Sequence, residues 1–285
     1  MRDPRLYQIA VLSGLLVYGM TALDFEVGPA LAGLILAAAL LTQLVGTRLA
    51  GLPRFDPRSA LISGLSLCLL LRANSPLWAV AAAALAVGSK FTLRWRGKHV
   101  FNPTNFGLVA LLAAGAPIWV SPGQWGNVAF FGFLMACLGG LVVNRAARSD
   151  VTFAFLAAYV GLLVGRALWL GEPLAIPLHR LQSGALLLFA FFMISDPKTT
   201  PDARPARIAF AVLVAVGAWY VQFRLFRTNG LLWSLALWSC AVPLLDRLFP
   251  AARYRWEAPR GATAPPPAPA FVLVPSKEVV CADRG

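Results

Sequence analysis

Apolar residues run in long blocks along this chain, and polar residues are confined to short punctuating stretches between them. The blocks show neither the strict alternation of half-buried strands nor the single apolar stripe of soluble amphipathic helices. Ten can be read, at 7–23, 29–49, 59–71, 77–93, 104–119, 125–144, 151–170, 181–195, 207–223 and 230–248. Most approach the ~20 residues that a membrane-spanning helix needs. The third and eighth are short, as expected of broken or re-entrant helices whose backbone is packed in protein or lines a cavity. The pattern predicts an all-α polytopic membrane protein of about ten transmembrane helices.

Composition agrees. Hydrophobic residues make up 59% of the 285 and charged ones 13%, against about 45–50% and 25% in soluble domains. The net charge of +13 would suggest nucleic acid in a soluble protein. Here the basic residues lie in the loops, which makes them a topology signal and leaves the lipid bilayer, not nucleic acid, as the partner. Starting inside, one set of loops carries Arg48, Arg54, Arg58, Arg94, Arg96, Lys98, Arg145, Arg148, Lys198, Arg204, Arg207, Arg247, Arg253 and Arg255. The opposite loops hold Asp24, Glu26 and Glu172, with Arg72, Arg180, Arg224 and Arg227 as exceptions. Both termini are therefore expected in the cytoplasm. The first block follows a short basic end but has no small-x-small cleavage site before Asp24, and it reads as a retained helix.

The two halves resemble each other in order. Ser63-Gly64 opens a short block ending at Asn74-Ser75-Pro76, and Ser183-Gly184 opens one ending at Ser195-Asp196-Pro197. Thr104-Asn105-Phe106-Gly107 and Thr228-Asn229-Gly230 open the fifth and tenth. An odd number of spans per copy inverts the second copy, giving a five-plus-five inverted repeat with its site near the midplane where interrupted helices meet. The expected organisation is 1–120 as the first repeat, 121–250 as the second, and 251–285 as a disordered cytoplasmic tail. Its 264–270 stretch is rich in Pro and Ala.

Candidate chemistry is sparse. Four cysteines and two histidines have no metal-ligand or redox spacing. There is no nucleophile–base pair, phosphate loop or H-E-x-x-H motif, so nothing supports a hydrolase or an ATPase, and no catalytic residue or metal ligand is assigned. A bound cofactor would carry any chemistry. Gly184 permits close approach of a backbone or a flat ligand. Asp196-Pro197 stops a helix, and Lys198, Thr199 and Thr200 offer donors, or Asp196 caps a turn and Lys198 snorkels to headgroups. Asn102, Thr104 and Asn105 either cap the fifth helix or hydrogen-bond a heteroaromatic ligand. Asp3-Pro4-Arg5 and Asp56-Pro57-Arg58 read as helix starts, Asp as cap and Pro as first residue. Arg72 and Lys90 are the charges most expected inside the protein.

At these residues the chain resembles a family of membrane electron-transport proteins. It comprises the D-type membrane component of the Rnf electron-transport complex and the B-type component of the sodium-pumping NADH:quinone reductase. The resemblance rests on Asn102-Pro103, Ser183-Gly184, Phe191-Phe192-Met193-Ile194-Ser195-Asp196-Pro197, the opening Asp3-Pro4-Arg5 and the third block, and it covers roughly 3–249. It implies a ten-helix inverted-repeat fold related to urea-channel-like proteins, in a bacterial inner membrane, beside other membrane redox subunits. It also implies flavin. The family attaches one flavin covalently to a threonine between the fifth and sixth helices, but 115–124 here holds no threonine. The chain is similar to short stand-alone relatives lacking that motif, and a noncovalent flavin (riboflavin or FMN) is expected instead.

Three functions follow. The first is an electron-transport subunit holding a noncovalent flavin or quinone between its repeats, with Ser183, Gly184, Asp196, Lys198, Thr199 and Thr200 on one side and Asn102, Thr104 and Asn105 on the other. The second is a channel or transporter for a small solute on the same fold. The third is a non-catalytic subunit that anchors partners.

Overall fold

A computed structural model describes residues 3–23, 25–122 and 148–254. The expected sixth span, 125–144, and residues 255–285 lie outside the described residues. Numbering elements through the described residues, the chain runs α1 Pro4–Ala22, α2 Pro29–Leu49, α3 Arg58–Leu70, β1 Leu71–Ala73 and α4 Pro76–Thr92. A small hairpin follows, β2 Arg94–Trp95 and β3 Lys98–His99, then α5 Pro103–Ala113 and β4 Ile118–Val120. The second half holds α6 Ser149–Leu170, α7 Ala175–Leu181, α8 Gly184–Leu188, a π-helical turn Phe189–Met193, α9 Arg204–Phe223, α10 Gly230–Ser239 and α11 Val242–Leu248.

The protein is an all-α polytopic membrane protein. Helices α2, α6 and α9, of 21, 22 and 20 residues, are long and apolar enough to cross a bilayer; at 1.5 Å per residue each rises about 30 Å. Two further apolar pairs, each a broken span or a re-entrant loop, are bent: α7 with Gly184–Met193 by 54° and α10 with α11 by 49°. Helices α3, α4 and α5 are shorter apolar elements. Val17, Leu41, Leu77, Phe153, Leu168 and Leu237 are exposed, a surface that suits lipid and would not suit water.

Sequence sets the helix starts directly. Pro opens α1, α2, α4 and α5, where its missing N–H is not needed. Asp3 caps α1 by accepting from Arg5 N at 3.0 Å, Ser75 caps α4 through Leu77 N at 3.3 Å, and Asn102 caps α5 through Asn105 N at 3.1 Å. The two Asp-Pro-Arg copies also pair across the fold. Arg58 Nη1 reaches Asp3 Oδ2 at 2.7 Å, and Arg5 bonds both Asp3 and Asp56. The starts of α1 and α3 are thereby clamped on the face that carries the N-terminus.

The fifth segment is shorter than the 104–119 expected. It ends at Ala113, because Gly115 turns left-handed at φ 70° and Pro117 cannot continue the helix. The chain then enters β4, which pairs antiparallel with β1 (Leu71↔Val120, Ala73↔Ile118). This ribbon satisfies backbone groups where two short helices end within the membrane protein. Packing follows one order in each half: α2 on α4 and α4 on α5, then α6 on α9 and α9 on α10, with α5 meeting α10 between them. At the C-terminal edge, Arg253 and Tyr254 pack on the body, through Arg96 O at 2.6 Å and the Arg148 guanidinium 4.9 Å from the tyrosine ring.

Candidate functional site

The short segments of the two halves are joined through residues 118–122. Ser121 N donates to Leu70 O at the end of α3 (2.8 Å). Pro122 O accepts from Ser183 Oγ (2.8 Å) and Ala185 N (3.1 Å) at the start of α8. Below this junction lies a cavity of about 360 Å³, inside the usual range for small-molecule sites of about 300–1,000 Å³. Leu186, Phe189, Met193 and Leu232 give it apolar walls, and Ser183, Tyr159, Gln222 and Asn229 bring polar groups to it. Tyr159 is buried, and its hydroxyl donates to Gln222 Oε1 at 2.9 Å. Arg180 and Arg227 stand at its edge, both exposed.

One wall of the cavity departs from α-helical geometry. Ile194 N donates five residues back to Phe189 O at 3.0 Å. Thr152 Oγ1, fully buried on α6, donates to Ala190 O at 2.8 Å, and Ser195 Oγ donates to Phe191 O at 2.6 Å. Side-chain hydroxyls thus serve carbonyls that the widened turn presents. Such π-turns are frequent at functional sites.

A second polar group lies toward the N-terminal face. Asn102 Nδ2 donates to Met193 O at 3.3 Å and stands 3.5 Å from Asp196 Oδ2. Asn105 Nδ2 donates to Leu232 O on α10 at 3.2 Å, while its buried Oδ1 has no hydrogen-bond partner among the described residues. Thr104 Oγ1 is 3.5 Å from Ser63 O. Lys90 is buried and donates to Ser59 O at 2.9 Å. Met193 and Leu232 also face the cavity, so the two asparagines hold its floor from below. His99 follows in the β2–β3 hairpin. Burial, then the charges of Arg94, Lys90 and Lys198, push its imidazole down to about 4, so it is neutral at physiological pH.

The expected site residues fall in three places. Asn102, Asn105 and Asp196 come together at the floor. Ser183 and Gly184 lie at the far end of the ten-residue run Gly184–Met193, which rises about 15 Å. Thr199 and Thr200 are engaged in a local turn, their hydroxyls donating to Asp196 O at 3.3 and 3.0 Å. Asp196 Oδ1 accepts from Lys198 N at 3.0 Å, and Lys198 Nζ donates to Tyr254 O at 3.4 Å. Sequence reasoning missed Tyr159 and Gln222. Their signal was a hydrogen-bonding side chain within a long apolar helix, and neither belongs to a motif.

These features define a polytopic α-helical membrane protein with a partly open cavity lined by residues of both short segments. Residues 116–255 match the profile of the NQR2, RnfD, RnfE family, and the resemblance read from the sequence is borne out over that stretch. Curated relatives include three proteins named as the D-type component of an ion-translocating oxidoreductase complex. The one from Erwinia tasmaniensis is 30% identical over 147 residues, 51% of this chain and 37% of the relative. Those from Alcanivorax borkumensis and Klebsiella pneumoniae are 31% and 32% identical over 127 residues, 43% of this chain and 35% and 34% of the relatives. The chain therefore spans little more than a third of the length of the relatives it matches.

Proposed function

We propose that this protein is an electron-transport subunit of an Rnf-like membrane oxidoreductase, and that it holds a noncovalent flavin in the 360 Å³ cavity. One observation carries the reading. The loop that bears the covalent flavin in the resembled family supplies Val120, Ser121 and Pro122 to the cavity wall here, and it has no threonine to attach one. The lining fits a flat heteroaromatic ring. Phe189 and Met193 can lie along its face, while Ser183, Asn229 and the Tyr159–Gln222 pair can meet its polar edge. Flavin supplies reversible one- and two-electron transfer; the chain's part is to bind, orient and exclude water. Asn102, Thr104, Asn105, Asp196, Lys198, Thr199 and Thr200 support the floor in this reading, with Ser183 at the ligand and Gly184 next to it in the chain.

The matching packing order of α2–α4–α5 and α6–α9–α10 supports the five-plus-five inverted repeat over 1–120 and 121–250. The loop charges support a bacterial inner-membrane protein with both termini cytoplasmic. Partner redox subunits follow from the relatives' description as parts of a complex.

The test is the visible spectrum and flavin content of detergent-purified protein, before and after acid precipitation. Acid-released flavin is expected, and Ala185→Trp, which fills the cavity, is expected to lose it with helicity unchanged. Flavin retained in the pellet overturns noncovalent binding. No flavin in native or reconstituted protein shifts the reading to a solute channel, for which liposome uptake blocked by Ala185→Trp is the sign.

A further inference from the structure

A smaller pocket, distant from the cavity just described, lies on the N-terminal face between the β2–β3 hairpin and the end of α11. It encloses about 140 Å³ and is lined by Trp95, Arg96, Lys98, Asp246, Arg247 and Arg253, among others. At about 30 Å³ per water, that is room for four or five waters, or one phosphate group with its ester carbons.

Its charge is arranged in two layers. Lys98 Nζ bridges Asp202 (3.1 Å) and Asp246 (2.6 Å), and Asp246 Oδ1 also accepts from Asp202 N at 2.8 Å. Both carboxylates are thus used inside the wall. Arg96, Arg247 and Arg253 have no carboxylate within 4.0 Å among the described residues. Arg253 Nη1 instead donates to Arg96 O at 2.6 Å, and Arg247 lies 5.3 Å from the Trp95 ring. The pocket gathers three guanidiniums that find no counter-charge among the described residues.

The backbone presents one of them under strain. The hairpin pairs Arg94 with His99 and Trp95 with Lys98, leaving Arg96 and Gly97 as the turn, at φ 50° and 82°. Two left-handed residues make a type I′ turn, which Asn, Asp or Gly adopts far more easily than arginine. Strain retained at one position is a pointer to function. Beside the pocket, Leu244, Leu248, Phe249 and Trp95 are exposed, an apolar and aromatic strip that suits the edge of a bilayer.

We propose that this pocket binds a phosphate group, and that its source is the headgroup of an anionic phospholipid whose chains lie along α11. Guanidinium forks match phosphate oxygens, and the lipid supplies both the anion and the apolar part that the strip requires. Soluble phosphate shares the anion but makes no use of the strip.

The test is thermal unfolding of delipidated protein in neutral detergent, with phosphatidylglycerol, phosphatidylcholine or inorganic phosphate added. Phosphatidylglycerol is expected to raise the Tm and phosphatidylcholine not. Arg96→Gly relieves the turn, so its Tm without lipid should hold or rise, while its phosphatidylglycerol affinity falls about tenfold, the loss of one charge-assisted contact. Arg253→Gln in addition should abolish the shift. Arg48→Gln with Arg54→Gln, which removes equal charge from another loop, should keep it. A shift equal in the pocket variant and this control overturns the proposal, as does no shift at all. A shift reproduced by inorganic phosphate and lost in Arg96→Gly keeps the pocket and overturns lipid as the source.

Discussion

The α4–α5 and α9–α10 pairs are built alike, whereas the short segments before them are not. In the first pair Gly107 lets α5 press on α4, where a Cβ would sit 2.6 Å from Ala82 O. In the second Gly230 does the same for α10 on α9, with Ala218 O at 2.7 Å. Gly230 is the first residue of α10, directly after Asn229, and Gly107 lies in the second turn of α5, two residues after Asn105. The preceding segments diverge. Helix α3 is regular for 13 residues and hands its chain to β1. Gly184–Met193 instead widens into the π-turn that faces the cavity. The close glycine contact recurs in both pairs, and the short segments before them differ, the second carrying the π-turn beside the cavity.

The sharpest way to break that comparison is to replace the glycines. Gly107→Val and Gly230→Val each drive side-chain atoms into a backbone carbonyl that has no rotamer to escape through. Each is expected to cost about 3 kcal/mol or more, or to abolish folding, read as the Tm of detergent-purified protein. If one position tolerates valine and its counterpart does not, the two interfaces are not equivalent.

How much of this the sequence carried depends on distance along the chain. Apolar blocks and caps are local, so the starts of α1, α4 and α5 were legible from Asp3-Pro4, Ser75-Pro76 and Asn102-Pro103. The end of α5 was written in Gly115 and Pro117, but apolar Ile118-Trp119-Val120 masked it by continuing the hydrophobic run into a strand. Cross-pairing of Asp3 with Arg58 and of Asp56 with Arg5 joins residues more than fifty apart, and no local pattern encodes it. At the site, Ser183 and Asp196 were grouped because they share a motif. A helical run separates them, and the cavity is completed by Tyr159 and Gln222 from helices that carry no motif.

The connection between each helix pair offers a smaller, pH-dependent contrast. Between α4 and α5 lies His99, whose folded pKa of about 4 is below the ordinary 6.5, through burial and then through Arg94, Lys90 and Lys198. Between α9 and α10, residues 224–229 contain no histidine or carboxylate. Because the folded state disfavours the imidazolium, His99 contributes no penalty above pH 6.5. Stability is then lost progressively as pH falls toward 4, by about 2–3 kcal/mol in all. Asp3 acts lower. Burial raises its carboxyl, but hydrogen bonds and charge from Arg5 and Arg58 outweigh this and hold it below 3.8, so its contribution is lost only beneath that value. His99→Gln should therefore flatten the Tm profile between pH 6.5 and 4 and leave the more acidic limb in place. An unchanged profile would mean that His99 is not sealed from water.

The smallest expected effect tests the π-turn itself. Thr152→Val keeps the shape of a fully buried side chain and removes the donor to Ala190 O, leaving a carbonyl in the cavity wall without that bond. Loss of a buried partner costs about 1–2 kcal/mol. In the first half the comparable hydroxyl, Ser63 Oγ, donates to Ser59 O of its own helix at 3.0 Å. That carbonyl also accepts from Lys90, so Ser63→Ala should cost only a few tenths of a kcal/mol, since such back-bonding adds little to a helix. A ratio of this kind, measured as paired Tm shifts, says that the second short segment needs outside support to hold its widened turn and the first does not. Equal shifts would say that Thr152 merely fills space, and that the π-turn is fixed by the packing of Phe189 against Phe155, whose rings lie 5.1 Å apart.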